Sequence, residues 1–326
     1  MERAIPRTIQ LPHPPSTTSS TTYQFFVSGD YEIRLFGDPH VQSSDVPVQK
    51  ITLNITTEDT VNDIVREETL DVVCDFVDGR AFGDAIGIAF RSISDWWTVN
   101  DIQVTSESDN GSLSLALVKP TRIAPTQTRI VPIRISQTRP FIATKLHLAL
   151  TLTSTSTNRV VLITVPITQL PQWNSSTPLT IKGTYFYASS IATVFTAKPP
   201  KINNLDIPRA PILALHGAGV DVVGQTFWSD ALPQKDHSWI VMPTGRTSWQ
   251  RVNNKILVQG LDWHGPSAKD AWASLEALTN IVASNSAWNS WKLDPTLRAV
   301  VLGHSNGGQG ACIWEKIPGS RGSKNI

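Results

Sequence analysis

Ser305 lies in the run Gly303-His304-Ser305-Asn306-Gly307, directly after the apolar, β-branched stretch Ala299 to Leu302. A serine with glycine two places before and two places after it fits a sharp turn from strand to helix. Small neighbours are needed there because the backbones on either side of the serine approach closely. Gly303 and Gly307 meet that need, and Gly308 extends the glycine run. The chemistry such a turn serves is acyl transfer through a serine ester. The hydroxyl attacks a carbonyl, and the negative charge that develops on the carbonyl oxygen is held by backbone N–H groups, one of them from the residue after the serine, here Asn306.

A second motif supplies the other donor. Ala210 to Leu215 form an apolar run that ends in His216-Gly217-Ala218-Gly219. A loop of this kind after a strand brings a backbone amide to the same oxygen, and glycine is required because the backbone itself must reach the substrate. His216, Gly217 and Asn306 are therefore the candidate oxyanion-hole residues, and Ser305 is the candidate nucleophile.

Activation of the serine is the weak point. A hydroxyl at its free pKa needs an imidazole to take its proton and a carboxylate to orient that imidazole. Beyond Ser305 the sequence holds no histidine, no aspartate and a single Glu315. His304 adjoins the serine, but neighbouring side chains diverge around such a turn. Asp262 and His264, in Leu261-Asp262-Trp263-His264-Gly265, are the remaining candidates and are expected to shape the pocket rather than to act as base.

The elements that must position these residues are legible in part. Trp239 to Met242 form a compact apolar strand ended by Pro243. Ser267 with Asp270 three residues on predicts a capping box, and Ala271, Leu275, Leu278 and Val282 recur at helical spacing. This succession predicts a parallel sheet flanked by helices, with Ser305 at the carboxyl end of its strand. Residues 23–200 have another texture: short Val-, Ile-, Leu- and Thr-rich runs, such as Lys145 to Ser156 and Arg159 to Ile167, alternate with turn residues and predict a β-sandwich-like region of one or two domains. Pro199, Pro200 and Pro208 mark a boundary, after which residues 208–326 form the second part; residues 1–22 read as a disordered lead.

Composition excludes several classes of function. The formal net charge is +1, without a long basic run or aromatic-basic interleaving, so nucleic acid is not an expected partner. No stretch has the apolar length of a membrane span. The histidines are scattered without a ligand cluster, so neither a metal nor another cofactor is expected. Cys74 and Cys312 are too few for a disulfide framework and read as buried thiols. Sequons at Asn54, Asn110 and Asn174 point to the secretory pathway, whereas the first residues lack the apolar core of a signal peptide.

Taken together, Ile212 to Val220, Phe227 to Pro233, His237 to Trp249, Asp262 to Leu278 and Val301 to Ala311, with Tyr31 to His40, Ala81 to Ser92 and Pro171 to Ser190 upstream, resemble a group of large, mostly uncharacterised fungal proteins. These carry an α/β-hydrolase domain of the prolyl oligopeptidase type, peptidase family S9. The resemblance covers most of residues 23–314. It implies a multidomain chain, an N-terminal all-β sandwich-like region followed by an incomplete α/β-hydrolase domain with a parallel sheet. It also implies a serine-type peptidase acting on a peptide or ester substrate through Ser305. Two departures stand out: the segment Gln250 to Gln259 interrupts the pattern, and Glu315 to Ile326 does not resemble the segment beyond the serine turn in that family. With the acid and histidine of the triad missing, the expectation is a truncated and inactive hydrolase half. The alternatives are an esterase- or lipase-like hydrolase, and a noncatalytic β-sandwich binding protein with a vestigial hydrolase half.

Overall fold

Lys145 to Thr153 show how the first part of the chain folds. Leu146, Leu148, Leu150 and Leu152 are fully buried, while the residues between them are partly exposed, so one face of the strand is core and the other meets solvent. The structure, a computed structural model, describes residues 11, 15–25, 55, 63–105, 111–173, 179–202, 210–218, 220–224, 226–245, 251–252, 255–256, 263–293 and 298–316, with residues 251–252, 255–256 and 313–316 described by backbone alone. Asn54, Asn110 and Asn174 lie outside the described residues, as does most of the lead 1–22. Arg7–Asn62 form a compact unit of their own, in which the Ser16 hydroxyl accepts the amides of Thr18 and Ser19. The other unit includes Asp63–Ile326 and holds the sheets and helices.

Two four-stranded antiparallel sheets share one core. In the first, Ile64–Arg66, Ala85–Ser92, Thr128–Gln137 and Leu113–Leu117 lie side by side in that order. In the second the order is Asn158–Pro166, Lys145–Thr153, Trp97–Val104 and Thr121–Ile123. Ile86, Ile88, Phe90, Val131 and Ile133 from the first pack with the four leucines, Ile163 and Val165 from the second. Each such side chain contributes about 1.5–3 kcal/mol by leaving water. Asp78 and Gly79, both at positive φ (50° and 68°), make the tight turn between Phe76–Val77 and Arg80–Ala81.

The remaining sheet has five strands: β1 (Ile181–Tyr187), β2 (Ile191–Lys198), β3 (Ile212–Leu215), β4 (Ile240–Pro243) and β5 (Val300–Gly303), in spatial order β1-β2-β4-β3-β5. The helices are α1 (Phe227–Asp230), α2 (Pro266–Ser284) and α3 (Asn306–Lys316). Period-2 alternation divides β3 and β4 between two cores. Leu213, Leu215 and Val241 face α2, where Ala271, Leu275, Leu278 and Val282 are buried; Ala214, Ile240 and Met242 face Val220, Val222 and Trp228. A strand buried on both faces must be apolar throughout, which explains the continuous runs of β3 and β4.

The expected architecture, a sandwich-like region followed by an incomplete α/β-hydrolase domain on a parallel sheet, is therefore corrected. Strands dominate the described residues, the sheets are antiparallel or mixed, and helices are few. β3 runs parallel to β4 and β5, but β1 pairs with β2, and β2 with β4, in antiparallel register. A short turn between β1 and β2 forces the first of these pairings, since only a long crossover returns a strand parallel to its predecessor.

The two regions are also stitched together. Asp75 donates its amide to the Lys182 carbonyl (2.9 Å), its carboxylate accepts the Lys182 amide (2.7 Å), and Thr184 donates its amide to Phe82. The ring of Phe82 packs with Trp173, Trp239 and Trp288, the closest of these at 5.5 Å between centroids. The predicted capping box is absent: Gly265 precedes α2, Pro266 is its first residue, and no side chain caps it. Ser267 is buried, and the Asp270 carboxylate instead accepts a 2.7 Å hydrogen bond from the Tyr185 hydroxyl. Cys74 is buried as expected, and burial pushes its thiol up to about 12; Cys312 is exposed on α3.

Candidate active site around Ser305

Ser305 sits between β5 and α3 with φ at 54°, the left-handed region that a side chain on an L-residue disfavours by roughly 1–2 kcal/mol. Three hydrogen bonds hold it there. The His304 amide donates to Leu215 (3.1 Å), the Gly307 amide to His304 (2.9 Å) and the Gln309 amide to Ser305 (3.1 Å). The glycines have steric reasons. A Cβ on Gly303 would collide with the backbone of Gly307, and a Cβ on Gly307 would collide with the carbonyls of Leu215 and His216. Gly308 is less constrained, with its nearest such contact at 3.4 Å from the Gly303 oxygen.

The loop after β3 meets this turn. A Cβ on Gly217 would lie 3.1 Å from the Ser305 Cβ and 3.1 Å from the His304 Nδ1, so the glycine backbone packs directly on the serine. Among the described residues, the amides of Gly217, Ala218 and Asn306 donate to no acceptor. Ser305 itself is exposed, and its hydroxyl has no hydrogen-bond partner among the described residues.

His216 does not face the serine's hydroxyl. It is fully buried, with Nδ1 2.7 Å from the Gly217 carbonyl and Nε2 2.9 Å from the Thr244 carbonyl. A neutral imidazole has one N–H and so donates to one of these oxygens at a time. Burial holds its pKa below the ordinary histidine value, although both carbonyls and Asp221 act in the opposite direction. His216 is thus a clamp across the base of the loop.

Of the other candidates, Asp262 lies outside the described residues. His264 is half-buried, its carbonyl accepts the Ser267 amide (3.2 Å), and its Nε2 is buried without a hydrogen-bond partner among the described residues. His304 is exposed, with its ring 6.2 Å from that of Trp228. No hydrogen bond joins either histidine to Ser305 among the described residues. Two nearby features escaped the sequence reading: Trp228 beside His304, and Trp263, which is fully buried at φ 65° with its indole N–H donating to the His216 carbonyl (3.0 Å). Gly265, at φ 51°, was the signal that a tight turn precedes α2. Among the described residues no three His, Cys, Asp or Glu side chains gather in the way a metal ion would need, and no helix is long and apolar enough to cross a membrane.

Comparisons with known proteins add little to this geometry. No family model matches the chain and no curated protein does, so the resemblance to the prolyl oligopeptidase type and to fungal proteins gains no support from them. Among solved structures, the crystal structure of a thermostable esterase matches at 14% sequence identity with a TM-score of 0.21, covering 75% of this chain and 73% of that one. At that score the likeness carries no argument about fold or chemistry, and the chain is similar to an esterase only in this weak sense.

Proposed function

We propose that the chain is a serine-type acyl hydrolase, in which Ser305 forms an ester with the acyl group of a small ester or peptide and the Gly217–Ala218 and Asn306 amides bind the oxyanion. The observation that carries this reading is the meeting of two loops. A serine held in the left-handed region lies against a glycine backbone, and among the described residues the amides of Gly217, Ala218 and Asn306 in the two meeting segments donate to no acceptor. Fixed donors aimed at a developing oxyanion are the largest single source of catalysis in acyl transfer, each worth about 3–4 kcal/mol. Preference for peptides over esters follows only from the resemblance to the prolyl oligopeptidase type and is the weaker part of the proposal.

Among the described residues no base is bonded to the Ser305 hydroxyl, so the proposal expects an oriented but unactivated alcohol and slow acylation. The test is reaction with p-nitrophenyl acetate and with a fluorophosphonate probe, with and without added imidazole as an external base. Slow labelling at Ser305, accelerated by imidazole beyond the background of Ser305→Ala, is the expected result. Labelling that is unaffected by Ser305→Ala, or a folded protein inert under all these conditions, would sink the proposal. The inert outcome would select a second reading, a noncatalytic binding protein.

A further inference from the structure

Two carbonyls of the loop beside Ser305 have defined partners. His216 turns its carbonyl to the Trp263 indole N–H (3.0 Å), and Gly217 turns its carbonyl to the His216 ring (2.7 Å). In a trans peptide the carbonyl and the following N–H point in opposite directions. Fixing these two carbonyls therefore fixes the Gly217 and Ala218 amides on the opposite side, and Gly217 is the residue packed on Ser305.

Trp263 is held for this role at a cost. It is fully buried at φ 65°, a conformation that costs an L-residue roughly 1–2 kcal/mol, and its ring meets the His216 imidazole in a T-shaped contact with centroids 4.9 Å apart. Strain of this kind persists only where surrounding contacts over-determine it, and it clusters at functional sites. Its hydrogen bond also spans 47 residues of sequence, so it ties the turn before α2 to the loop after β3.

We infer that Trp263 is a positioning residue for acyl transfer at Ser305, acting through its indole N–H on the His216–Gly217 peptide to aim the loop's amides. The inference rests on the Ser305 reading above. The decisive variant replaces Trp263 by 3-benzothienylalanine, which keeps the ring's size and substitutes sulfur for the N–H; Trp263→Phe is the second variant. With p-nitrophenyl acetate, the expected result is an acylation rate constant lowered about tenfold with KM unchanged, accompanied by a shift of the Gly217 amide resonance in the ¹⁵N spectrum. A merely structural role would change thermal stability without that split between rate and KM.

Acylation at the wild-type rate in a folded variant would overturn this inference alone, whereas an inert wild type would remove the Ser305 reading and this inference with it. Should both variants fail to fold, hydrogen exchange at the Trp263 indole of the wild type decides. Slow exchange is expected for the buried donor, and exchange at the rate of a free indole would overturn the inference.

Discussion

The two antiparallel sheets of residues 64–166 and the mixed sheet that carries Ser305 obey different constraints. In the first region strands such as Lys145–Thr153 have one wet and one dry face, the core is mainly aliphatic with Phe76, Phe90, Trp97 and Phe141 among it, and the positive-φ residues Asp78 and Thr126 lie in turns between strands. In the second, β3 and β4 are dry on both faces, and non-glycine residues at positive φ stand at Ser305 and Trp263. Around Ser305, Gly217, Gly303 and Gly307 pack where a Cβ would collide with, or press tightly on, a neighbouring segment, as Gly83 does against Thr184 in the first region. What sets the second region apart is that a positive-φ residue and tightly packed glycines converge on one serine. Substitutions should therefore be felt differently in each.

The largest expected loss of stability is in the first region. Leu150→Ala removes a fully buried side chain and should cost about 4 kcal/mol by denaturant unfolding, yet leave the rate of Ser305 labelling in the folded fraction unchanged. A matching fall in labelling rate would show that the two regions are coupled beyond shared stability. Gly307→Ala should cost about 3 kcal/mol, because its Cβ would collide with the Leu215 carbonyl, and should also abolish labelling. A variant that keeps both properties would mean that the turn relaxes without consequence.

A smaller effect is expected from acid. The folded pKa of His216 lies below the unfolded value of about 6.5, so the unfolded chain binds the proton first. Its contribution is fully present above the unfolded pKa and is lost as pH falls toward the folded one. Asp71 and Asp75, raised by burial, titrate with the opposite sign, so the useful quantity is the difference between the wild type and His216→Gln. That difference should shrink as pH drops below about 6.5, and a difference independent of pH would contradict the assigned direction. The smallest effect is on the thiols: iodoacetamide should modify exposed Cys312 in the native protein and reach Cys74 only after unfolding, with mass spectrometry as the readout.

What could be read from sequence tracked the range of the interactions. Alternation over Lys145 to Thr153 is local and gave the buried face directly; the glycines around Ser305 are likewise a local steric requirement. Sheet membership is not local. Residues 181–198 have the same texture as the strands before them, yet β2 pairs with β4, and nothing in Ile191 to Lys198 names that partner. The capping box failed because Ser267 and Asp270 fit a pattern that tertiary contacts override. Asp270 is taken by Tyr185, and Gly265 with Pro266 begins the helix without a side-chain cap. His216 was expected near the oxyanion, but its ring is occupied by Gly217 and Thr244, the latter 28 residues away. Among the described residues no base is hydrogen-bonded to Ser305, and no local pattern in the sequence names one.

The stitch between Asp75 and Lys182 has a consequence for biosynthesis. Its partners are 107 residues apart. At a synthesis rate of about 5–20 residues per second, Asp75 leaves the ribosome roughly 5–20 seconds before Lys182 does. During that interval the Asp75 amide and carboxylate and the Phe82 carbonyl and ring have no Lys182, Thr184 or Trp239 to meet. A pause of translation between these positions would lengthen the wait, and a chaperone that holds aromatic surface would be met there first.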